Sequence, residues 1–231
     1  IKISQKNNKE TLVSIFINPT QFNQKKDFKD YPRNIKKDIS ILRKLKVNYL
    51  FLPEVEEIYK KKMKNFKLNK SDKILCAKYR KGHFEGVLNV MNRLLSIIKS
   101  KHVFMGEKDF QQYILIKRIL GKKYKINVVG CPTIREGNKI ALSTRNKLLK
   151  KSSIKTASKI ARKLDKLKRL SQMNRSVKLS KYKNELQNQF KIKIDYLEFR
   201  DEKKMKLNNF KSKYRLFIAY YINGVRLIDN F

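Results

Sequence analysis

Between residues 11 and 131 the chain alternates short, strand-sized apolar runs with longer stretches whose apolar positions recur at helical spacing. No other feature limits the possible folds so sharply. Strands that succeed one another through helical crossovers run parallel, and a parallel sheet needs helices over both faces. Residues 11–17 (TLVSIFI) are the first run, ended by Asn18-Pro19. Residues 48–52 are a second, stopped by Pro53, and residues 74–77 a weaker third. Residues 102–105 end at Gly106, and residues 126–129 end at Gly130. Between them, Ile35, Ile39, Leu42 and Leu45 fall at helical spacing. Val87, Val90, Met91, Leu94, Leu95 and Ile98 draw one apolar face on a helix over 86–99, and Phe110, Tyr113, Ile114 and Leu120 mark the next.

After Arg135 the pattern changes. Residues 153–170 read as a long basic helix with Ile154, Ala157, Ile160, Ala161, Leu164 and Leu167 on one side, and residues 179–190 as a second helix. Residues 192–199 alternate apolar and polar positions, and the runs 214–222 and 225–228 flank Asn223-Gly224, the strongest short-range hairpin signal. This half predicts a smaller α+β domain.

Composition decides what lies outside these elements. A chain of 231 residues that is 41% hydrophobic can bury a core, so the excess of 58 Lys+Arg over 19 Asp+Glu is not that of a disordered tail. No 18 apolar residues run together, which predicts neither a transmembrane helix nor a membrane partner, and a cytoplasmic protein is expected. Two cysteines make neither a disulfide framework nor a four-ligand zinc site. The net charge of +39 suggests nucleic-acid binding, yet the cations are mostly lysines spread along the whole length. The densest clusters, Lys60–Lys62 and Lys166–Arg169, carry no aromatic platform, and A/T-biased codons produce the same composition. No specific nucleic-acid partner is expected.

Ligands of an open parallel sheet bind beyond the carboxyl ends of its strands. Three polar clusters lie at such ends: Asn18-Pro19-Thr20-Gln21-Phe22, Gly106-Glu107-Lys108-Asp109 followed by Gln111-Gln112, and Ser143-Thr144-Arg145-Asn146. Lys108 just before a helix start joins a cation to free backbone N–H groups, a seat for phosphate. Asp109 could bond a ribose hydroxyl or merely cap the helix. Gln21 and Gln112 both donate and accept, which suits hydroxyl and carboxylate groups. His83 is one of two histidines, and a lone His near an apolar helix start is more often structural than catalytic. No Walker loop, Gly-rich dinucleotide fingerprint or Ser/His/Asp order is present. These features describe an α/β enzyme that handles a nucleotide or phosphate, its substrate unspecified.

Taken together, SIFINPTQF (14–22), YPR (31–33), RKGHFEG (80–86), GEKDFQQ (106–112), VVGCPTIRE (128–136), LSTRN (142–146) and VRLIDN (225–230) resemble the pantothenate synthetase, or pantoate–β-alanine ligase, family. The resemblance covers essentially the whole chain in order. It implies a Rossmann-like, nucleotidylyltransferase-type parallel domain over 1–135 that binds ATP and pantoate, followed by a smaller α+β lid domain over 136–231. It also implies ATP-dependent condensation of pantoate with β-alanine through a pantoyl adenylate, with AMP and pyrophosphate released and Mg²⁺ accompanying ATP. A homodimer is implied as well.

Carried over position by position, the resemblance places Lys108 on the phosphates, with Ser143, Thr144 and Arg145 doing the same from a loop like the KMSKS-type loop of related enzymes. Lys108 and Arg145 would be the catalytic pair. Gly106 and Asp109 would hold the ribose, and Gln21 and Gln112 the pantoate hydroxyl and carboxylate. Asn18, Tyr31, Arg80 and His83 would line the pocket, and no metal ligands are assigned. The chain departs from the family pattern at Thr144, where Ser is usual, at Lys81, where Pro is usual, and at Cys131, where Val is common. It also contains no HxGH motif, whose histidines bind ATP phosphates in the family; Ile1 falls a few residues after that motif. The chain is therefore expected to be an N-terminally truncated form with impaired activity. Two alternatives remain at this stage: a nucleic-acid-binding protein, and another adenylyl- or cytidylyltransferase with different partners in place of Gln21 and Gln112.

Overall fold

The computed structural model of the chain describes residues 1–21, 34–59, 65–173, 177–207, 210 and 212–231, with Gln21 described by its backbone alone. Two compact units form. The first comprises Ile1–Glu107 and Gln111–Cys131, the second Lys108–Phe110 and Pro132–Phe231.

The first unit holds the expected parallel pairs. It contains α1 (Lys2–Asn7), β1 (Leu12–Ser14), a 3₁₀ turn (Pro19–Gln21), α2 (Ile35–Lys44), β2 (Tyr49–Phe51) and α3 (Val55–Tyr59). Next come α4 (Leu75–Tyr79), α5 (His83–Ile97), β3 (His102–Gly106), α6 (Phe110–Ile116) and β4 (Asn127–Cys131). Helix α6 runs on through a π-helical stretch, Lys117–Gly121, before its last turn. β1 pairs with β2 in parallel, Leu12 opposite Tyr49, and β3 with β4, His102 opposite Asn127. The core forms where α5 turns Phe84, Val87, Leu88, Leu94 and Leu95 inward, beside Ile116 and Leu120 of the α6 region and Val128 of β4.

Two expectations change. Residues 74–77 are not a strand: Leu75, Cys76 and Ala77 are all buried in one helical turn, α4. A four-residue apolar run has no period that separates a buried strand from a buried helical turn, so burial decided it. The first strand is also shorter than its apolar run, with Leu12–Ser14 in the ladder and one further bond from Ile15 N to Phe51 O at 3.0 Å.

Gly86 answers to a close approach of backbone. A Cβ at Gly86 of α5 would stand 2.7 Å from the carbonyl oxygen of Thr20, so the 3₁₀ turn after β1 lies directly on that helix.

The second unit is a three-stranded antiparallel sheet, β5 (Lys193–Asp201), β6 (Tyr214–Ile222) and β7 (Val225–Asn230), with α7 (Lys151–Met173) and α8 (Leu179–Phe190). Asn223 and Gly224 both have positive φ, 47° and 79°, as a two-residue type I′ hairpin demands. The stripe foreseen on α7 is the buried one: Ala157, Ile160, Leu164 and Leu167 are at most 1% exposed and share a core with Leu216 and Ile218 of β6. Burial of each such leucine or isoleucine stabilises the unit by about 1.5–3 kcal/mol. The β5–β6 register shifts between Ile194 and Tyr196, leaving Asp195 as the extra residue of a bulge. Its buried carboxylate accepts from Arg226 Nε at 2.9 Å.

Among the described residues, no helix is long and apolar enough to cross a membrane.

Candidate active site

The second unit contains a recess whose walls come from three separate stretches. Lys108 enters from the 3₁₀ turn Glu107–Asp109 that follows β3. Ser143, Arg145 and Asn146 come from the loop before α7, and Tyr220, Arg226 and Asp229 from β6 and β7. Lys108, Arg145 and Arg226 place three cationic side chains in its wall beside Asp229, although Lys108 also pairs with Asp109 and Arg226 with Asp195. The field of each cation is strengthened where protein replaces water.

Local structure explains why these side chains point inward. A bridge between Arg135 and Ala141 folds the 132–146 loop back on itself. Ser143 Oγ accepts the backbone N–H of Arg145 at 3.3 Å, capping the 3₁₀ helix Thr144–Leu148. Asn146 Nδ2 donates to Glu136 Oε1 at 3.2 Å and to Ala141 O at 3.1 Å, tying the cap to the loop. Lys108, 21% exposed at its side chain, pairs with the more open Asp109 at 3.3 Å.

The carboxylate in the wall is not free to neutralise the recess. Arg135 grips Asp229 with both terminal nitrogens, Nη1 to Oδ2 at 2.7 Å and Nη2 to Oδ1 at 2.9 Å. Burial pushes the Asp229 carboxyl above the usual carboxylate range, and the Arg135 guanidinium opposes that rise. Burial likewise raises the Tyr220 hydroxyl well above the ordinary phenol value, with Asp229 adding to it. The tyrosine therefore stays a neutral hydrogen-bonding group at any physiological pH.

The other site residues named from the sequence belong to the first unit. Asn18 is 1% exposed and its amide is fully engaged. Its Oδ1 accepts from the Tyr59 hydroxyl, from Thr20 N at 3.1 Å and from Thr20 Oγ1 at 2.9 Å, while Nδ2 donates to Gly86 O at 3.1 Å. Asn18 therefore anchors the Pro19–Gln21 turn to α3 and α5. The backbone of Gln21 closes that turn, its side chain lies outside the described residues, and so does all of Tyr31.

Arg80 Nη1 lies 3.2 Å from His83 Nε2. A guanidinium cannot accept, so that ring nitrogen is the acceptor of the pair. The two adjacent glutamines of α6 differ. Gln111 is buried, its Nε2 donating to Asp72 O at 3.2 Å and Ile74 O at 2.9 Å, whereas Gln112 is half-buried on the neighbouring face. Gly106 ends β3, and a Cβ there would meet nothing within 4 Å. Thr144 is exposed and does not line the recess.

Thus the structure brings Lys108, Ser143 and Arg145 to one recess. Asn18, Arg80, His83, Gly106 and Gln112 stand on the first unit, and Asp109 on the second beside Lys108. Sequence reasoning missed Tyr220, Arg226, Asp229 and the supporting Arg135. The strand VRLIDN was legible as a motif, but no spacing rule says which of its residues face a ligand.

A parallel α/β unit followed by a small antiparallel unit that carries a recess is the frame of an α/β enzyme. The comparisons with known proteins are more specific. The family model for pantoate-beta-alanine ligase matches residues 1–231. The pantothenate synthetase of Flavobacterium psychrophilum is 36% identical, with all of this chain and 84% of that protein covered. That of Pseudothermotoga lettingae is also 36% identical, with the same coverage.

Among solved structures, the pantoate-beta-alanine ligase of Francisella tularensis, complexed with beta-gamma ATP and beta-alanine, superposes with a TM-score of 0.84 at 37% identity. The match covers 100% of this chain and 82% of that one. The Thermus thermophilus enzyme gives a TM-score of 0.91 at 29% identity, covering 98% and 84%. The chain belongs to the pantoate–β-alanine ligase family. It is a ligase of pantothenate formation, and its two-part fold is the one expected from the resemblance.

Proposed function

We propose that the chain joins pantoate to β-alanine in two steps. A carboxylate oxygen of pantoate attacks the α-phosphorus of ATP, and the bond to pyrophosphate breaks, leaving pantoyl adenylate. The amine of β-alanine then attacks the acyl carbon, AMP departs with the C–O bond electrons, and the amine loses a proton. The first step brings an anion to a polyanion and concentrates charge on the departing pyrophosphate. Fixed cations that face this charge lower the barrier most.

The observation that carries the reading is the convergence of Lys108 and Arg145, far apart in sequence, with Ser143 and Arg226 on one recess. Lys108 and Arg145 stabilise the phosphates as the catalytic pair, with Ser143 contacting them from the same loop. Gly106 and Asp109 hold the ribose. Gln21 and Gln112 bind the hydroxyl and carboxylate of pantoate. Asn18 sets the turn that carries Gln21, and Tyr31, Arg80 and His83 complete the lining. Mg²⁺ would accompany ATP and help neutralise its phosphate charge beside Lys108 and Arg145. The working form is a cytoplasmic homodimer, and sedimentation equilibrium reads its mass.

The test is pyrophosphate release on mixing pantoate with ATP. Lys108→Ala should lower its rate about 10²–10³-fold while thermal unfolding stays unchanged, the loss typical of one preorganised charge-stabilising group. Full turnover by that variant would remove Lys108 from the phosphates.

A further inference from the structure

The motif at the end of the chain, Asp229-Asn230, has no role in the reaction as proposed, yet its side chains lead directly to Lys108. Asn230 is 3% exposed. Its Nδ2 donates to the backbone carbonyl of Lys108 at 3.0 Å, and its Oδ1 accepts from Arg215 Nη1 at 2.8 Å. Because a guanidinium only donates, the amide cannot be turned around: oxygen faces Arg215 and nitrogen faces Lys108. The main chain of Asn230 is held as firmly. Its N–H donates to Asp229 Oδ1 at 2.7 Å, and its carbonyl accepts from Arg135 Nη2 at 2.9 Å.

Two residues further along, at the start of α6, Phe110 lies with the Arg215 guanidinium 4.2 Å from its ring centroid and the Phe217 ring 5.7 Å away. The short segment that bears the lysine is therefore fastened at its carbonyl by β7 and at Phe110 by β6.

From this network we infer that Asn230 is a positioning residue for Lys108: its amide, oriented by Arg215 and backed by the Arg135–Asp229 clamp, fixes the backbone from which the lysine ammonium reaches the phosphates. The inference rests on the phosphate role of Lys108. Asparagine suits the position because one short side chain must donate to a carbonyl and accept from a guanidinium at once. Aspartate has the same shape and would still accept from Arg215, but it would set a carboxylate oxygen against the Lys108 carbonyl. Fixing an already bound cation matters because small displacements of a catalytic group cost rate steeply.

The experiment is a double-mutant cycle between Asn230→Asp and Lys108→Ala in the full chain, read by pyrophosphate release and by thermal unfolding. Asn230→Asp alone should lower the rate about 10- to 100-fold and also lower the melting temperature, because a buried carboxylate then faces a carbonyl, so the coupling in the cycle and not the single variant decides. Added to Lys108→Ala, the same substitution should change the residual rate by less than about twofold, since the group it positions is gone. If Asn230→Asp is as active as the parent while Lys108→Ala is disabled, the inference falls and the phosphate reading stands. If the two losses multiply, Asn230 acts elsewhere and the inference also falls. If Lys108→Ala is fully active, both readings fall together. Should the aspartate variant fail to fold, Asn230→Ala removes the donor without adding charge and carries the same cycle.

Discussion

Gly106 and Gly86 illustrate two reasons for a residue to lack a side chain. At Gly86 the protein itself fills the space, with the Thr20 carbonyl where a Cβ would go, whereas at Gly106 a Cβ would meet nothing. Packing asks for glycine at the first position and not at the second, where the proposed close passage of the ATP ribose would supply a reason. Gly106→Ala should therefore fold with unchanged thermal stability while the KM for ATP rises about tenfold or more. Initial-rate kinetics check it, and an unchanged KM would take Gly106 out of the nucleotide site. The glutamines make the same point. Gln111 and Gln112 are adjacent and identical in chemistry, and their division into a buried strut and a half-open amide depends on which side of α6 faces α4.

At the scale of elements, the long periodic segments were legible, and so were four of the five strand-sized runs of the first half. The stripe of α7, the face of α5 and the Asn223-Gly224 hairpin follow from spacing and turn chemistry alone. Residues 74–77 did not, because a helical turn and a strand of four residues bury the same run equally well. The packing of α7 on β6 also sets up a titration that spacing does not reveal. Lys168 lies 3.4 Å from the centroid of the Tyr214 ring and donates to Tyr214 O at 2.8 Å. Burial lowers its pKa to about 8, helped by Arg215 and Lys213 and opposed by Glu202.

The unfolded chain then holds this proton more tightly than the folded one. Between about pH 8 and the ordinary lysine value of 10.5 the unfolded state binds more protons, so the lysine's contribution to stability rises with pH across that window and is smallest below it. The difference in melting temperature between the parent and Lys168→Met should shift in favour of the parent from pH 7 to pH 10. A difference independent of pH would show that Lys168 titrates as an open lysine.

For the whole molecule, charge is the largest single quantity, +39 over 231 residues. It says nothing about the fold, but it does act on the approach of an anionic substrate, which a positive field draws in from beyond contact distance. The kcat/KM for ATP should fall on the order of tenfold between low and high salt, while kcat at saturation changes little. Steady-state kinetics across a salt series measure it, and a flat series would mean that the charge outside the recess is idle.

The amino-acid order alone determined the alternation of strands and helices, the parallel pairing that follows from it, the hairpin, and which loops could offer a lysine or an arginine to a phosphate. Those properties depend on period and local backbone chemistry, which neighbouring residues carry. The gathering of Lys108, Arg145, Arg226 and Asp229 about one recess, the clamp of Arg135 on Asp229 and the amide bridge from Asn230 to Lys108 were decided by tertiary structure. Each joins residues whose separation along the chain leaves no local trace, and such contacts exist only once the core has set the directions of the strands that bear them.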